Sequence, residues 1–325
     1  MPAQRTTKST TRRKQPHRYC QSRYQSEWTP LIQRFPNEIL HKIIEELDYK
    51  GYQSALRVCR SFRRVTAAPY TTQRNAQIRV HEIVQDHSSL PKADILDMIV
   101  TSGDDDAGVR AFFAEHGTEI QSTNASKSFI RAVERGHAKV ADYLIKKQGV
   151  SVDTLGDFNL SAIHIAAQRA HDKVVSVLYN NGTNVNTRNP FRQTPLHLAA
   201  RAGNVDFIRW FVKNFPVDVE AKDDRGDTPL QYAVAEKNEQ LVRLFVYELG
   251  ANPNTIDIYG RTPLHHTAID GSVNIAKLLV TVGADPSTRD GSTQTPFHYA
   301  VERKQKNVAK YLLDTFGTDS IIQFL

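Results

Sequence analysis

Apolar residues in the C-terminal two-thirds of this chain come in short stripes. Val174, Val175 and Leu178, and again Ile275, Leu278 and Leu279, are spaced by three and four, the period of one helix face. Each stripe is preceded by another that continues into small residues, and four of these open on Thr-Pro and an aliphatic or aromatic residue. The openings are Thr194-Pro195-Leu196-His197, Thr228-Pro229-Leu230-Gln231, Thr262-Pro263-Leu264-His265 and Thr295-Pro296-Phe297-His298, at spacings of 34, 34 and 33 residues. A fifth copy, Ser161-Ala162-Ile163-His164, lies 33 residues upstream and lacks Thr-Pro. Thr caps a helix through its hydroxyl, and Pro suits the first helical position because its missing N–H costs nothing there. A Gly or Asn then breaks the first helix (Gly136, Gly203, Asn238, Gly271). The second stripe closes on a turn such as Asn181-Gly182-Thr183-Asn184, Gly250-Ala251-Asn252 or Gly283-Ala284-Asp285. A helix pair with two apolar faces cannot stand alone, so a fixed period of this length predicts a stack of units.

The template extends upstream at lower fidelity. Residues 127–153 fit it around Ala132, Gly136, Val140 and Leu144-Ile145, without Thr-Pro. One more step lands on Asp94, with Leu96 to Val100 and Val109 to Phe113, if two residues are inserted near Asp104-Asp105-Asp106. Residues 94–325 therefore read as one degenerate cap plus six repeats, the last ending near Gly317. The apolar end, Ile321 to Leu325, either folds back over the final helix or needs a partner.

A different pattern precedes the repeats. Ile39, Leu40, Ile43, Ile44 and Leu47 form one stripe after Pro36, and Tyr52, Ala55, Leu56, Cys59, Phe62 and Val65 form a second. Two helices of this size bury too little alone, so residues 28–70 should dock their apolar face on something else. Ile78, Val80, Ile83 and Val84 predict a helical, semi-rigid linker over 71–93.

The repeats, with their Thr-Pro-Leu-His openings and 33–34-residue period, resemble the ankyrin repeat. That resemblance implies an all-α solenoid of helix-turn-helix units joined by β-turns. Residues 28–70 resemble the F-box. They carry Phe35-Pro36-Asn37-Glu38-Ile39-Leu40, then Leu47-Asp48, then Val58-Cys59-Arg60-Ser61-Phe62-Arg63, with Phe35 where the family usually has Leu and Gly51-Tyr52 where Asp-Leu is common. The F-box resemblance implies a small helical module that binds a Skp-type adaptor, which links it to a cullin and a RING subunit. Pro36, Ile39, Leu40, Ile43, Leu47, Val58 and Cys59 then fall on positions that pack within the module or against the adaptor.

Charge changes the picture only at the N-terminus. Residues 1–27 hold seven basic side chains against Glu27, a balance of +6, and the net charge of +7 leaves +1 for the rest. This tail is polar and is expected to be disordered, with Arg12-Arg13-Lys14 and Arg18 a candidate import signal. The near-neutral body argues against nucleic acid as a partner. No stretch approaches a membrane span and no apolar leader is present, which points to the cytoplasm or nucleus. Two cysteines, Cys20 and Cys59, suit neither a disulfide framework nor a zinc site.

Candidate chemistry is sparse. There is no nucleophile elbow, phosphate-binding Gly loop or His-Glu-x-x-His, so no catalytic residue, cofactor or metal is expected. His164, His197, His265 and His298 share one slot, but equal slots lie about 10 Å apart, too far to share an ion. Each should bond its own cap and nearby backbone. His265-His266 is no chelating pair, since adjacent helical residues face apart, and Asp104-Asp105-Asp106 reads as an acidic loop. Recognition falls instead to turn tips and the exposed face of each first helix: Phe191, Arg192, Arg201, Arg225, Tyr232, Tyr259, Arg261, His266 and Tyr299, with Asn189, Asp223, Asp257 and Asp290 also counted at the tips. Combined with the F-box resemblance, this describes the substrate-recognition subunit of an SCF-type ubiquitin ligase, binding an unspecified target protein. The alternatives are an ankyrin scaffold whose N-terminal segment is only a cap, and a nuclear regulator whose basic tail touches nucleic acid.

Overall fold

The computed structural model describes residues 80–81, 83–86, 91–101, 106–116 and 122–322. The chain divides into two compact units, Met1–Glu82 and Ile83–Leu325, and the second is treated below. The tail over 1–27, the F-box-like segment with Pro36, Ile39, Leu40, Ile43, Leu47, Val58 and Cys59, most of the 71–93 linker, Asp104-Asp105 and residues 323–325 lie outside the described residues.

Among the described residues the unit is helical, and its helices come in antiparallel pairs that stack as ankyrin repeats do. They are α1 (Lys92–Thr101) with α2 (Asp106–His116), α3 (Ser122–Arg135) with α4 (Ala138–Gln148), and α5 (Ala162–Gln168) with α6 (Asp172–Asn180). Next come α7 (Pro195–Ala202) with α8 (Val205–Asn214), and α9 (Pro229–Ala235) with α10 (Glu239–Arg243). The last pairs are α11 (Pro263–Asp270) with α12 (Val273–Thr281), and α13 (Pro296–Glu302) with α14 (Lys306–Ile322). First helices pack on the first helices of neighbouring pairs, so the core runs as a continuous strip. No described helix is long and apolar enough to cross a membrane.

The strip is built from one slot per pair. Ile163, Leu196, Leu230 and Leu264 are fully buried, and the small residues Ala166, Ala199, Ala233, Thr267 and Ala300 in the neighbouring slot let adjacent helices approach closely. The second helices contribute Val174, Val175 and Leu178, then Ile208 and Phe211, then Leu241 and Val242, then Ile275 and Leu279.

Helix breaks follow the pattern with one substitution of roles. Gly136, Gly203 and Gly271 turn the chain at φ 78, 77 and 78. Asn238 does not break its helix. Its side chain caps α10 by accepting the Leu241 N–H at 3.0 Å, and Lys237 takes the left-handed turn at φ 54. Asn204 caps α8 in the same way through Phe207. The sequence pattern could not separate these roles, because Asn serves both as a helix stop and as an N-cap. Two further departures concern length. Helix α10 widens at its end into a π-helical turn, Leu244–Glu248, and α14 runs through Gly317 to Ile322.

Candidate functional site

The first helices α7, α9, α11 and α13 each begin with a reciprocal cap. The Thr194 N–H donates to His197 Nδ1 at 3.1 Å, while the Thr194 hydroxyl meets the N–H of the third helical residue. Thr262–His265 and Thr295–His298 repeat the arrangement, and Ser161 Oγ lies 2.7 Å from His164 Nδ1. An imidazole whose Nδ1 accepts must carry its proton on Nε2. That Nε2–H donates across to the next unit: His164 to the Gln193 carbonyl at 3.0 Å, His197 to Asp227 at 3.1 Å, His265 to Gln294 at 3.1 Å. The histidine ladder is therefore a series of links between repeats. Burial pushes the imidazoles of His164, His197 and His265 below their ordinary 6.5. Gln231 occupies the slot in α9. Its Oε1 completes the cap with the Thr228 N–H at 2.8 Å, but its buried Nε2 has no hydrogen-bond partner.

The turns that precede the caps are organised by a buried polar residue. Asn189, Asp223, Asp257 and Asp290 each accept two backbone N–H groups on Oδ1, from the second and fourth residues downstream, at 2.8–3.0 Å. These four sit at the turns but point inward, so they shape the tips rather than present themselves there. Neighbouring turns are tied edge to edge by Asp224 N–H to Phe191 O, Ile258 N–H to Arg225 O and Gly291 N–H to Tyr259 O, at 3.1, 2.8 and 2.7 Å.

The turns and first helices enclose a groove of about 740 Å³. Of the residues expected to recognise a partner, Phe191, Arg201, Arg225, Tyr232 and His266 line it together. Tyr259, Arg261 and Tyr299 line a separate hollow of about 340 Å³. Arg192 lines neither, although it is exposed, at a left-handed φ of 57. Phe191 and Tyr259 are the open anchors, 56% and 57% exposed.

Three of the expected recognition side chains carry internal duties. The Tyr232 hydroxyl donates to Asp223 Oδ2 at 2.8 Å and accepts from Gln193 Nε2 at 2.6 Å. The Tyr299 hydroxyl donates to Asp290 Oδ2 at 2.7 Å, and burial followed by that bond pushes it up to about 12. Arg261 donates to Asp257 Oδ2 at 2.8 Å and lies over the Tyr259 ring at 4.6 Å. These three therefore offer a rigid ring or a shared guanidinium, not a free polar head.

Sequence reasoning missed two features of the groove. Phe158 is 87% exposed at φ 58 and lies in a turn with no repeat signature. Asp227 carried no signal at all. It sits between Gly226 and the Thr228 cap, and its Oδ1 lies 4.0 Å from His266 Nε2, which in turn is 3.6 Å from Asp257 Oδ2. Burial raises Asp227, partly offset by His266 and reinforced by Asp223 and Asp257. Burial would raise Asp257 too, but His266 and the Arg261 backbone and guanidinium bring it down to about 2.

Comparison with known proteins gives two matches along the chain. The ankyrin-repeat family matches residues 96–189, 163–257 and 238–323, and the F-box domain matches residues 32–72. Among curated proteins, protein phosphatase 1 regulatory subunit 27 of Mus musculus is 29% identical over 99 residues, covering 30% of this chain and 64% of the relative. The Homo sapiens protein of the same name is 28% identical over 99 residues, with the same coverage. The chain thus spans about 64% of the length of the curated relatives it matches.

Proposed function

The chain belongs to the ankyrin-repeat family and carries an F-box domain, and on that premise we propose that it is the substrate-recognition subunit of an SCF-type cullin-RING ubiquitin ligase. The observation that carries this reading is the presence of both modules in one chain, the F-box at 32–72 and the repeats at 96–323. In this reading Pro36, Ile39, Leu40, Ile43, Leu47, Val58 and Cys59 serve the Skp-type adaptor, and the segment over 71–93 joins the two modules. The groove of Phe191, Arg201, Arg225, Tyr232 and His266 takes a target protein, with Arg192, Tyr259, Arg261 and Tyr299 extending the contact. The chain performs no chemistry of its own. It raises the effective concentration of the target beside a charged ubiquitin-conjugating enzyme, converting a bimolecular encounter into one within a complex. Such a role belongs in the cytoplasm or nucleus and needs no cofactor.

The test is co-expression with a Skp-type adaptor followed by size-exclusion chromatography. The expected result is a one-to-one complex that is lost when residues 28–70 are deleted or when Pro36→Ala and Leu40→Ala are combined, with the repeats still folded by circular dichroism. Undiminished adaptor binding by the double variant would overturn the proposal.

A second reading is a scaffold that recruits no ligase. It is supported by the relatives named as regulatory subunits of protein phosphatase 1. Under it residues 28–70 are a helical cap, and residues 94–325 lose solubility without them while the full chain ignores the adaptor.

A further inference from the structure

The link between the units of α9 and α11 differs from its neighbours. Gln231 replaces the histidine there, and its Nε2 reaches no acceptor. On the groove side of the same junction, Asp227, from the turn before α9, faces Asp257, from the next turn, and His266, in α11. One ligand atom from each lies within 4.8 Å of the other two. The separations of His266 Nε2 from Asp227 Oδ1 and Asp257 Oδ2, 4.0 and 3.6 Å, are too long for hydrogen bonds. Asp227 Oδ1 and His266 Nε2 are both buried and unpartnered. Two buried polar atoms thus face each other across a gap that no hydrogen bond spans and no solvent reaches, which is costly unless something bridges them.

The dimensions of the gap suit an ion. A triangle of those sides has a centre ~2.0–2.5 Å from every corner, which overlaps the ~2.0–2.2 Å of zinc bonds to imidazole nitrogen and carboxylate oxygen. We propose that Asp227, Asp257 and His266 form a binding site for a divalent transition-metal ion of the zinc class. An imidazole with two carboxylates favours such an ion over magnesium or calcium, which take oxygen ligands. The neighbours leave the site to these three. His265 is occupied at both nitrogens, by Thr262 and by the Gln294 carbonyl. Asp257 spends Oδ1 on its own turn, leaving Oδ2 for Arg261 and the ion. Arg261 offsets one carboxylate charge without closing the gap. Because Asp227 comes from one unit and the other two ligands from the next, the ion fastens the junction where the imidazole link is missing. Three protein ligands leave a fourth position for water or for a donor on whatever lies in the groove, which both Asp227 and His266 line. The inference is independent of the ligase reading, since it concerns the repeats alone.

The experiment titrates the full chain, stripped with chelator, with Co²⁺ followed by visible absorption and with Zn²⁺ followed by calorimetry. Thermal unfolding is then measured with and without zinc. One saturable equivalent is expected at micromolar metal, with a cobalt visible band that zinc displaces and a higher unfolding temperature in zinc. His266→Ala and Asp227→Asn should each weaken binding by about tenfold or more and abolish the thermal shift. Asp227→Asn keeps the side-chain shape and the main-chain carbonyl that bonds His197, so it decides the matter by itself if His266→Ala unfolds. Absence of a saturable site would overturn the proposal. So would unchanged affinity in Asp227→Asn, which would assign the metal to other side chains.

Discussion

The histidine in each Thr-Pro-Leu-His opening does two jobs with two nitrogens, and Gln231 does only the first. Its amide oxygen completes the cap, while its amide nitrogen is buried without an acceptor. A buried unsatisfied donor costs about 1–3 kcal/mol, and a made bond returns ~1 kcal/mol net. Gln231→His should therefore raise stability by roughly 1 kcal/mol or more, through a bond from Nε2 to the Arg261 carbonyl, the counterpart of the Asp227 acceptor. An increase of about 2–4 °C in the thermal midpoint is expected for a unit of this size. No increase would mean the glutamine slot has relaxed in solution. The same nitrogens set a pH dependence. The folded values of His164 and His197 lie below the unfolded 6.5 because burial disfavours the cation. Below pH 6.5 the unfolded chain then binds more protons than the folded one, so stability falls as the pH drops from 6.5 through the folded values. Urea midpoints at pH 7.5, 6.5 and 5.5 measure this, and His197→Gln should flatten the dependence while lowering the plateau.

At the scale of elements, the turns hold the stack in register as much as the helices do. Gly260 has φ 80, and a Cβ there would meet Gly291 N of the next turn at 2.9 Å. Gly226 stands in the same relation to Ile258 N, also at 2.9 Å. Gly260→Ala should therefore cost more than the ~1–2 kcal/mol of left-handed backbone alone, because the backbone of the neighbouring turn must also move. Hydrogen exchange should show the loss concentrated around the Gly291 amide, which donates to Tyr259 O at 2.7 Å. A uniform loss across all units would contradict a local register device. Much of this architecture was legible in the chain. Thr-Pro fixed the helix starts, the Leu and Ala slots fixed the buried face, and the period fixed the stacking. What was hidden depends on neighbours from another repeat. Asp223, Asp257 and Asp290 look like exposed tips in sequence, yet they turn inward to gather amides. Asn238 was read as a stop when it is a cap. Asp227 joins His266 only because stacking superposes residues 39 positions apart in the chain.

For the whole molecule, the proposed role makes two surfaces on one chain independent of each other. Disabling one should leave the other intact, since the adaptor residues and the groove residues lie in separate modules of the sequence. Phe191→Ala with Arg225→Ala removes an exposed aromatic anchor and an exposed cation from the groove. The internal bonds of Tyr232 and Arg261 are left in place. Such anchors carry a disproportionate share of interface energy, ~1 kcal/mol or more each, so a target bound mainly there should lose about tenfold or more in affinity. Adaptor binding should not change. The converse variant, Pro36→Ala with Leu40→Ala, should lose the adaptor and cullin yet keep the target. Because the target is then held but not modified, it should accumulate beside the bait. Proximity labelling of wild type and both variants in one cell type reads all three states. A ligase receptor gives ligase subunits with the groove variant, and an enriched target with the F-box variant. A scaffold gives the same neighbours for wild type and the F-box variant, and that pattern would remove the ligase from the proposal while leaving the groove as the binding surface.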